Sequence, residues 1–223
     1  MKKLFFIAIT LFTLGMLSCK KESNPLNLDC STVQDTTKGG YLPVSAGNFW
    51  KYVSKATPDD GIFDLQTIMD STKTFNGKIY HAVLYQSGSD GHIDAELTDT
   101  SEFYSLSMGN VYSLLGDEED LFLKNDAVLN DTWSRTNPEG DFKYTTKVIG
   151  LNDTRVVNGV TYRKVMTLET KENADYDTDG IFETLVSTEI HYVAKGVGII
   201  EWIVKDETGA IEHEAILSCF NIK

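Results

Sequence analysis

Two Asn-Gly pairs place the strongest constraint on how this chain can fold. Asn76-Gly77 and Asn158-Gly159 each lie between two runs rich in β-branched and aromatic residues. Asn-Gly tolerates positive φ at both central positions of a two-residue turn, as a type I′ hairpin requires. The chain has only four prolines in 223 residues, which is compatible with extensive sheet. The pattern therefore predicts an all-β, antiparallel fold.

The C-terminal third shows the strand pattern most clearly. Residues 188–192 alternate polar and apolar side chains, and residues 199–204 and 211–222 are two further strand-like runs separated by a turn. One segment differs, because residues 117–129 are acid-rich at the front and can form either a helix or a loop.

The two hairpins also indicate an internal duplication. Asn158 follows Asn76 by 82 residues (158 minus 76), and Trp133 follows Trp50 by 83 residues (133 minus 50). Hairpins share turn chemistry in any case, but with three tryptophans in the chain a matching pair favours a true repeat.

We therefore expect one β domain over residues 41–223, built from two duplicated halves at about 43–116 and 126–204. Neither half can bury its apolar face alone, so the halves are expected to share one core. The predicted architecture is an antiparallel curved sheet or open half-barrel.

The N-terminus has the pattern of a secretory signal peptide. Two lysines precede an apolar run over residues 4–17, which is shorter than the about 20 residues that a membrane-spanning helix needs. The run ends in Met16-Leu17-Ser18-Cys19, which resembles the lipobox of bacterial lipoproteins. The resemblance implies cleavage after residue 18, a lipid on Cys19 that binds the membrane, and a tether over 19–40. An ordinary secreted protein is the alternative.

Two cysteines remain in the body of the chain. Cys30 and Cys219 lie near its two ends, and an oxidising compartment permits a disulfide between them. Two unpaired thiols, with Cys219 buried in a strand, are the alternative.

An acidic stretch near residue 180 has the pattern of a calcium-binding loop. Asp175, Asp177, Asp179 and Glu183 supply carboxylates, and the carbonyl of Ile181 supplies a further oxygen. The spacing resembles the calcium loops of β-propeller repeats, and the ion would be structural. A solvated acidic turn is the alternative, because Asp and Gly are common turn residues.

Composition and missing motifs limit the functions to be considered. The formal charge of −13 opposes binding to nucleic acid phosphates. The chain contains none of the familiar zinc-protease, serine-hydrolase, P-loop or Cys-x-x-Cys motifs, and its four histidines are isolated in sequence. Asp99 and Glu102 can imitate a glycosidase pair, but an acidic chain has many such pairs. We expect a protein that is not an enzyme.

Two segments resemble a family of small lipoproteins from Bacteroidetes-type bacteria. Residues 43–52 match the opening P-x-x-x-G-N-x-W-x-Y, and residues 192–200 with 214–222 resemble the closing strands. The resemblance implies a curved antiparallel sheet, an outer-membrane location on the periplasmic or cell-surface face, and no catalytic residues.

The predicted function is a binding or scaffolding module that holds an apolar or glycan ligand on the concave face of the sheet. A cell-surface adhesion or assembly protein with a protein partner is the first alternative, and a carboxylate-based hydrolase is the second.

Overall fold

The protein is built from β-strands throughout the part of the chain that can be described. The computed structural model describes residues 28–31, 33–37, 39–58, 60–90, 92–99, 101–176 and 179–223, with backbone alone for 95–98. Within these ranges every strand pairing is antiparallel, which confirms the predicted fold class. Cys19 and the predicted signal peptide lie outside them. A helix long and apolar enough to cross a membrane is not found in these ranges.

The described residues form thirteen strands. They are β1 (Phe49–Ser54), β2 (Phe63–Phe75), β3 (Lys78–Ser89), β4 (His92–Asp99), β5 (Glu102–Ser107), β6 (Asn110–Leu115), β7 (Glu118–Lys124), β8 (Thr132–Thr136), β9 (Phe142–Val157), β10 (Val160–Ala174), β11 (Thr184–Ala194), β12 (Gly198–Asp206) and β13 (Ile211–Asn221).

The strands form one sheet made of two consecutive meanders. The first runs through β1, β2, β3, β5, β6 and β7, and the second runs from β8 to β13. β1 pairs with β13 and joins the two, while β4 pairs with β3 outside this path. Each meander therefore contributes six strands to the path. The duplication itself stays a prediction.

Both Asn-Gly pairs form the predicted hairpin turns. Asn76 and Gly77 have φ of 47° and 74°, and Asn158 and Gly159 have φ of 48° and 75°. The flanking residues pair directly across each turn. Positive φ at both central positions is the geometry of a type I′ turn, so the prediction from the two dipeptides is confirmed.

The expectation of a helix or a loop over residues 117–129 is wrong for residues 118–124, which form a strand, while residues 125–129 form the expected loop. β7 occupies Glu118–Lys124, where Leu123 is fully buried opposite Val111 of β6. The carboxylates that suggested a helix start instead bind basic side chains of other strands, as Glu119 does with Lys78 at 2.6 Å. Pairing with β6 and burial of Leu123 outweigh the weak local preference.

The opening motif anchors the core, as its alternation predicts. Trp50 and Tyr52 are each 1% exposed. The Trp50 indole donates to the carbonyl of Val197, and the Tyr52 hydroxyl donates to the carbonyl of Ile199 at 3.1 Å. Gly198 lies between these acceptors with φ of 115°, and a Cβ there would be 2.8 Å from the Trp50 indole nitrogen. Glycine is therefore needed at position 198, because it tolerates the positive φ and because it has no Cβ to clash with Trp50.

A contact across the interior shows how strongly the sheet curves. Phe122 of β7 stacks on Tyr104 of β5 with ring centroids 5.5 Å apart, and it makes a T-shaped contact with His191 of β11 with ring centroids 6.3 Å apart. β7 and β11 are far apart in strand order, so the sheet bends until its two ends nearly meet.

The segment before the domain covers a second apolar cluster. Phe49, Phe63, Leu65 and Cys219 form the cluster, and Leu28 packs against it. The structure joins Cys30 to Cys219 by a disulfide, with Cα atoms 5.3 Å apart. Part of the predicted tether is thus held against the last strand.

A buried carboxylate links three strands and the β1 terminus. Glu201 of β12 is 2% exposed, and it accepts hydrogen bonds from Arg155 of β9 and from Lys55, whose Nζ lies at 2.9 Å. Lys55 also binds Glu214 of β13 at 2.8 Å. Burial alone would raise the pKa of Glu201, but the hydrogen bonds from Arg155 and Lys55 hold that pKa below its ordinary value.

Replacing Glu201 should therefore weaken the fold in a pH-dependent way. We expect Glu201→Gln to lower the free energy of unfolding by about 2–3 kcal/mol at neutral pH, since two basic groups lose a charged acceptor. The pKa of Glu201 in the folded protein lies below the unfolded value of 4.5. The stabilisation is therefore complete above pH 4.5 and is lost as the pH falls from 4.5 through the folded pKa. Urea unfolding of the unaltered protein and of the Glu201→Gln variant, at neutral pH and near pH 4, measures this difference in the free energy of unfolding. Glu207→Gln, at an exposed turn, is the control, and an equal loss for both variants would contradict the role of Glu201.

Candidate functional site

A cavity of about 500 Å³ opens where the two ends of the sheet face each other. Its walls come from β5 to β12 and combine acidic, basic, aromatic and aliphatic side chains. The lining residues are Glu102, Ser113, Glu119, Asp120, Leu121, Phe122, Trp133, Ser134, Arg135, Tyr144, Thr146, Leu168, Thr170, Glu189, His191, Val193 and Ile199.

The cavity exists because β7 and β8 do not pair. Each is the last strand of the path, bonded on one side only, and no backbone hydrogen bond joins them in the described residues. Side chains bridge the seam instead: Arg135 binds Asp120 at 3.1 Å, and the Lys124 ammonium lies 5.3 Å from the Trp133 ring centroid. Consecutive residues of both strands line the cavity, so it extends between the two edges.

Strand register explains which side chains face the cavity. His191 of β11 lies opposite Leu168 of β10, and Glu189 lies opposite Thr170. Thr170 in turn lies opposite Thr146 of β9, with their hydroxyl oxygens 2.9 Å apart. Directly opposed residues share one face of a sheet, so alternate residues of three strands reach the same space.

The wall has an aliphatic part that can contact apolar surface. Leu168, Val193 and Ile199 are buried core residues that also line the cavity. Phe122 extends this surface, because its ring packs between Tyr104 and His191.

Glu102 is held by two tyrosines at the cavity wall. The hydroxyl of Tyr85 donates to its Oε2, and the hydroxyl of Tyr104 donates to the same oxygen at 3.4 Å. Burial raises the pKa of both tyrosines, so both hydroxyls keep their protons. Burial also raises the pKa of Glu102, although the two hydrogen bonds act in the opposite direction. Of the charged groups nearby, Asp99 adds to this rise and Arg135 opposes it. The two tyrosines thus fix the position of the Glu102 carboxyl group.

Arg135 lies at the rim of the cavity. Its guanidinium lies 3.9 Å from the ring centroid of Tyr144, and its Nε binds Asp120. The Tyr144 hydroxyl donates to Glu172 at 2.9 Å, which fixes the ring under the guanidinium.

His191 is a neutral group of the wall. Burial lowers its pKa, which the nearby carboxylate of Glu189 at 3.4 Å only partly offsets. At neutral pH the ring is therefore uncharged and contributes packing against Phe122.

The predicted calcium loop lies away from this cavity. Asp175 is buried, and its carboxylate accepts hydrogen bonds from the backbone amides of Asp179 and Gly180 at 3.2 and 2.8 Å. The Asp179 carboxylate accepts a hydrogen bond from the backbone amide of Ile181 at 2.8 Å. The carbonyl of Ile181 accepts one from the backbone amide of Glu183 at 3.1 Å. The loop is thus held by its own amides. Asp177 lies outside the described residues.

Among the residues the structure describes, no group of three or more His, Cys, Asp or Glu side chains is placed to hold a metal ion. Calcium in the loop over 175–183 stays a proposal that needs Asp177.

Calcium binding can be tested by thermal denaturation. If the loop binds the ion, added calcium should raise the melting temperature, because a ligand of the folded state alone stabilises it. Asp177→Ala should remove the rise, and Asp206→Asn, in another turn where an aspartate accepts backbone amides, should retain it. Asp175→Ala is less useful, because it also breaks the loop hydrogen bonds. If calcium does not raise the melting temperature of the unaltered protein, the proposed calcium site is wrong.

Sequence reasoning missed most of the residues that line the cavity. Arg135 of β8 and Glu189 and His191 of β11 belong to no motif. Trp133 was considered only as half of the matching tryptophan pair, and Glu102 only as half of a carboxylate pair. Asp99, its proposed partner, does not line the cavity. The usable signal was Trp133 itself, which the sequence pairs with Trp50 in the predicted duplication, where Trp50 is buried.

Comparison with known proteins identifies the fold. No protein-family model matches the chain, and no curated protein matches it in sequence. A predicted exported protein with a YmcC-like fold from Bacteroides fragilis NCTC 9343 superposes with a TM-score of 0.53 at 10% identity, over 82% of this chain and all of that one. A predicted lipoprotein from Parabacteroides distasonis ATCC 8503 gives a TM-score of 0.42 at 8% identity, over 82% and 99%. The first similarity shows that this chain has the YmcC-like fold.

Proposed function

We propose that the protein is a lipid-anchored envelope lipoprotein whose β domain binds a small ligand with an apolar part, without catalysis. The observation that carries the binding role is the cavity at the seam between β7 and β8. Its volume of about 500 Å³ lies within the range of small-molecule sites, and its walls combine apolar surface with a few positioned polar groups.

The location follows from the N-terminal pattern. The apolar run before Cys19 favours export and lipidation, and the anchor would hold the domain at the outer membrane, on the periplasmic or the cell-surface face. The disulfide between Cys30 and Cys219 suits an oxidising compartment. The structural neighbour from Bacteroides fragilis is itself described as exported, which agrees with this location.

A binding role is preferred to hydrolysis because of what surrounds Glu102. Its described hydrogen-bond partners are two tyrosine hydroxyls with raised pKa values, which position a carboxylate but supply no base. Asp99 adds to the rise that burial gives the pKa of Glu102, but it is not among the residues that line the cavity, so the cavity wall presents one carboxylate of the predicted glycosidase-like pair.

Filling the cavity should abolish binding. Octyl glucoside, which has an apolar chain and a sugar head, is a suitable probe for an apolar or glycan site. We expect it to bind the unaltered protein, and Thr170→Trp to weaken binding at least about ten-fold, because the indole occupies the ligand space. Isothermal titration calorimetry below the critical micelle concentration measures both affinities.

Lys171→Trp is the matched control, since the next residue of β10 is exposed and does not line the cavity. Equal weakening by both substitutions would place the probe elsewhere on the protein. No binding of any alkyl probe by the unaltered protein would contradict the binding role.

The anchor is tested separately. Cys19→Ser should move the protein from the detergent phase to the aqueous phase of a phase partition, because the lipid has no attachment site. Cys30→Ser should leave the partition unchanged. Mass spectrometry of the native protein should show an acylated Cys19 at the N-terminus, and an intact N-terminal Met1 would contradict processing.

A further inference from the structure

The cavity wall contains more negative charge than its own basic groups compensate. Four acidic side chains line it. Glu119 binds Lys78 at 2.6 Å, and Asp120 binds Arg135 at 3.1 Å. For Glu102 and Glu189, no lysine or arginine of the described chain forms an ion pair.

The groups in direct contact with these two carboxylates are neutral, and Arg135, which binds Asp120, acts on Glu102 through its charge without forming an ion pair with it. Glu102 accepts hydrogen bonds from the hydroxyls of Tyr85 and Tyr104, and Glu189 lies 3.4 Å from the ring of His191. Burial lowers the pKa of His191, so its ring carries no charge at neutral pH. A negative potential in a partly enclosed cavity is focused by its low-dielectric walls and attracts cations.

The aromatic side chains of the seam already hold cations of the protein. Arg135 lies over Tyr144 at 3.9 Å, and Lys124 lies over Trp133 at 5.3 Å. Both contacts place a positive group on the electron-rich face of a ring, an arrangement worth about 0.5–2 kcal/mol. A further aromatic ring, Phe122, lines the same cavity as Glu102 and Glu189.

We propose that the cavity selects a ligand with a cationic head, an amine or a quaternary ammonium group, which Glu102, Glu189 and the ring of Phe122 hold. The apolar part of the ligand then lies against Leu168, Val193 and Ile199. The inference rests on the proposed function, since it names the class of ligand that the same cavity binds.

Other head groups fit these surroundings less well. An anionic head would be repelled by Glu102 and Glu189, and the one cation of the wall, Arg135, already binds Asp120. A sugar head finds hydrogen-bond acceptors in the cavity, but it brings no charge to compensate the two carboxylates.

Three probes with one alkyl chain and different heads test the selectivity. They are octyltrimethylammonium, octyl glucoside and octyl sulfate, titrated below their critical micelle concentrations at neutral pH and fixed ionic strength. We expect octyltrimethylammonium to bind about ten-fold more tightly than octyl glucoside, and octyl sulfate to bind weakest.

Substitutions at the two carboxylates should narrow this preference. Glu102→Gln and Glu189→Gln should each reduce the ratio of the two affinities from about ten-fold to about two- or three-fold, because each removes one charge from the wall. Glu169→Gln is the matched control, because it removes the same charge from β10 outside the cavity and should leave the ratio unchanged. Glu189 is 40% exposed, so its variant should fold even if Glu102→Gln does not.

The outcomes separate this inference from the proposed function. If all three probes bind equally, or octyl sulfate binds best, the cation selectivity is overturned while the binding role stands. If the ratio falls equally in Glu169→Gln, the selectivity comes from net charge and the assignment to the cavity is overturned. If none of the probes binds, both proposals fail.

Discussion

The pairing of β1 with β13 is the interaction on which the rest of the structure depends. It joins the first and last strands of the domain and makes one sheet from two meanders. Trp50 and Tyr52 of β1 strengthen the joint, because their polar atoms donate to carbonyls just before and within β12 while their rings fill the core. The disulfide between Cys30 and Cys219 and the Lys55–Glu214 ion pair reinforce the same region.

Joining the meanders in the middle leaves β7 and β8 as the free ends. Exposed strand edges tend to pair with other chains, and here curvature turns the two edges toward each other instead. The Asp120–Arg135 ion pair and the contact of Lys124 with Trp133 bridge the gap without backbone pairing. The gap that remains is the cavity, so the candidate site is a direct consequence of the topology.

The chemistry of the cavity follows from its position at two edges. A closed interior of a domain this size would be filled by apolar side chains, whereas the seam retains acids that solvent can reach. Glu102 and Glu189 therefore lie beside a continuous apolar wall without an ion pair to a lysine or arginine of the described residues. A ligand that joins a cationic group to an apolar body would interact with both the carboxylates and the apolar wall. This connects the proposed binding role to its proposed specificity.

The sequence by itself determined the local elements. The Asn-Gly turns and the burial of Trp50 and Tyr52 depend on backbone φ preferences and on strand alternation, which neighbouring residues set. The strand over 118–124 was not predicted because this acidic segment has no local strand signal, and only pairing with β6 makes it extended. The tertiary structure alone decided that Glu102, Arg135, Glu189 and His191 surround one cavity. Their meeting depends on the β1–β13 joint, on the register of distant strands and on the curvature of the sheet, which are long-range quantities that no short pattern in the chain records.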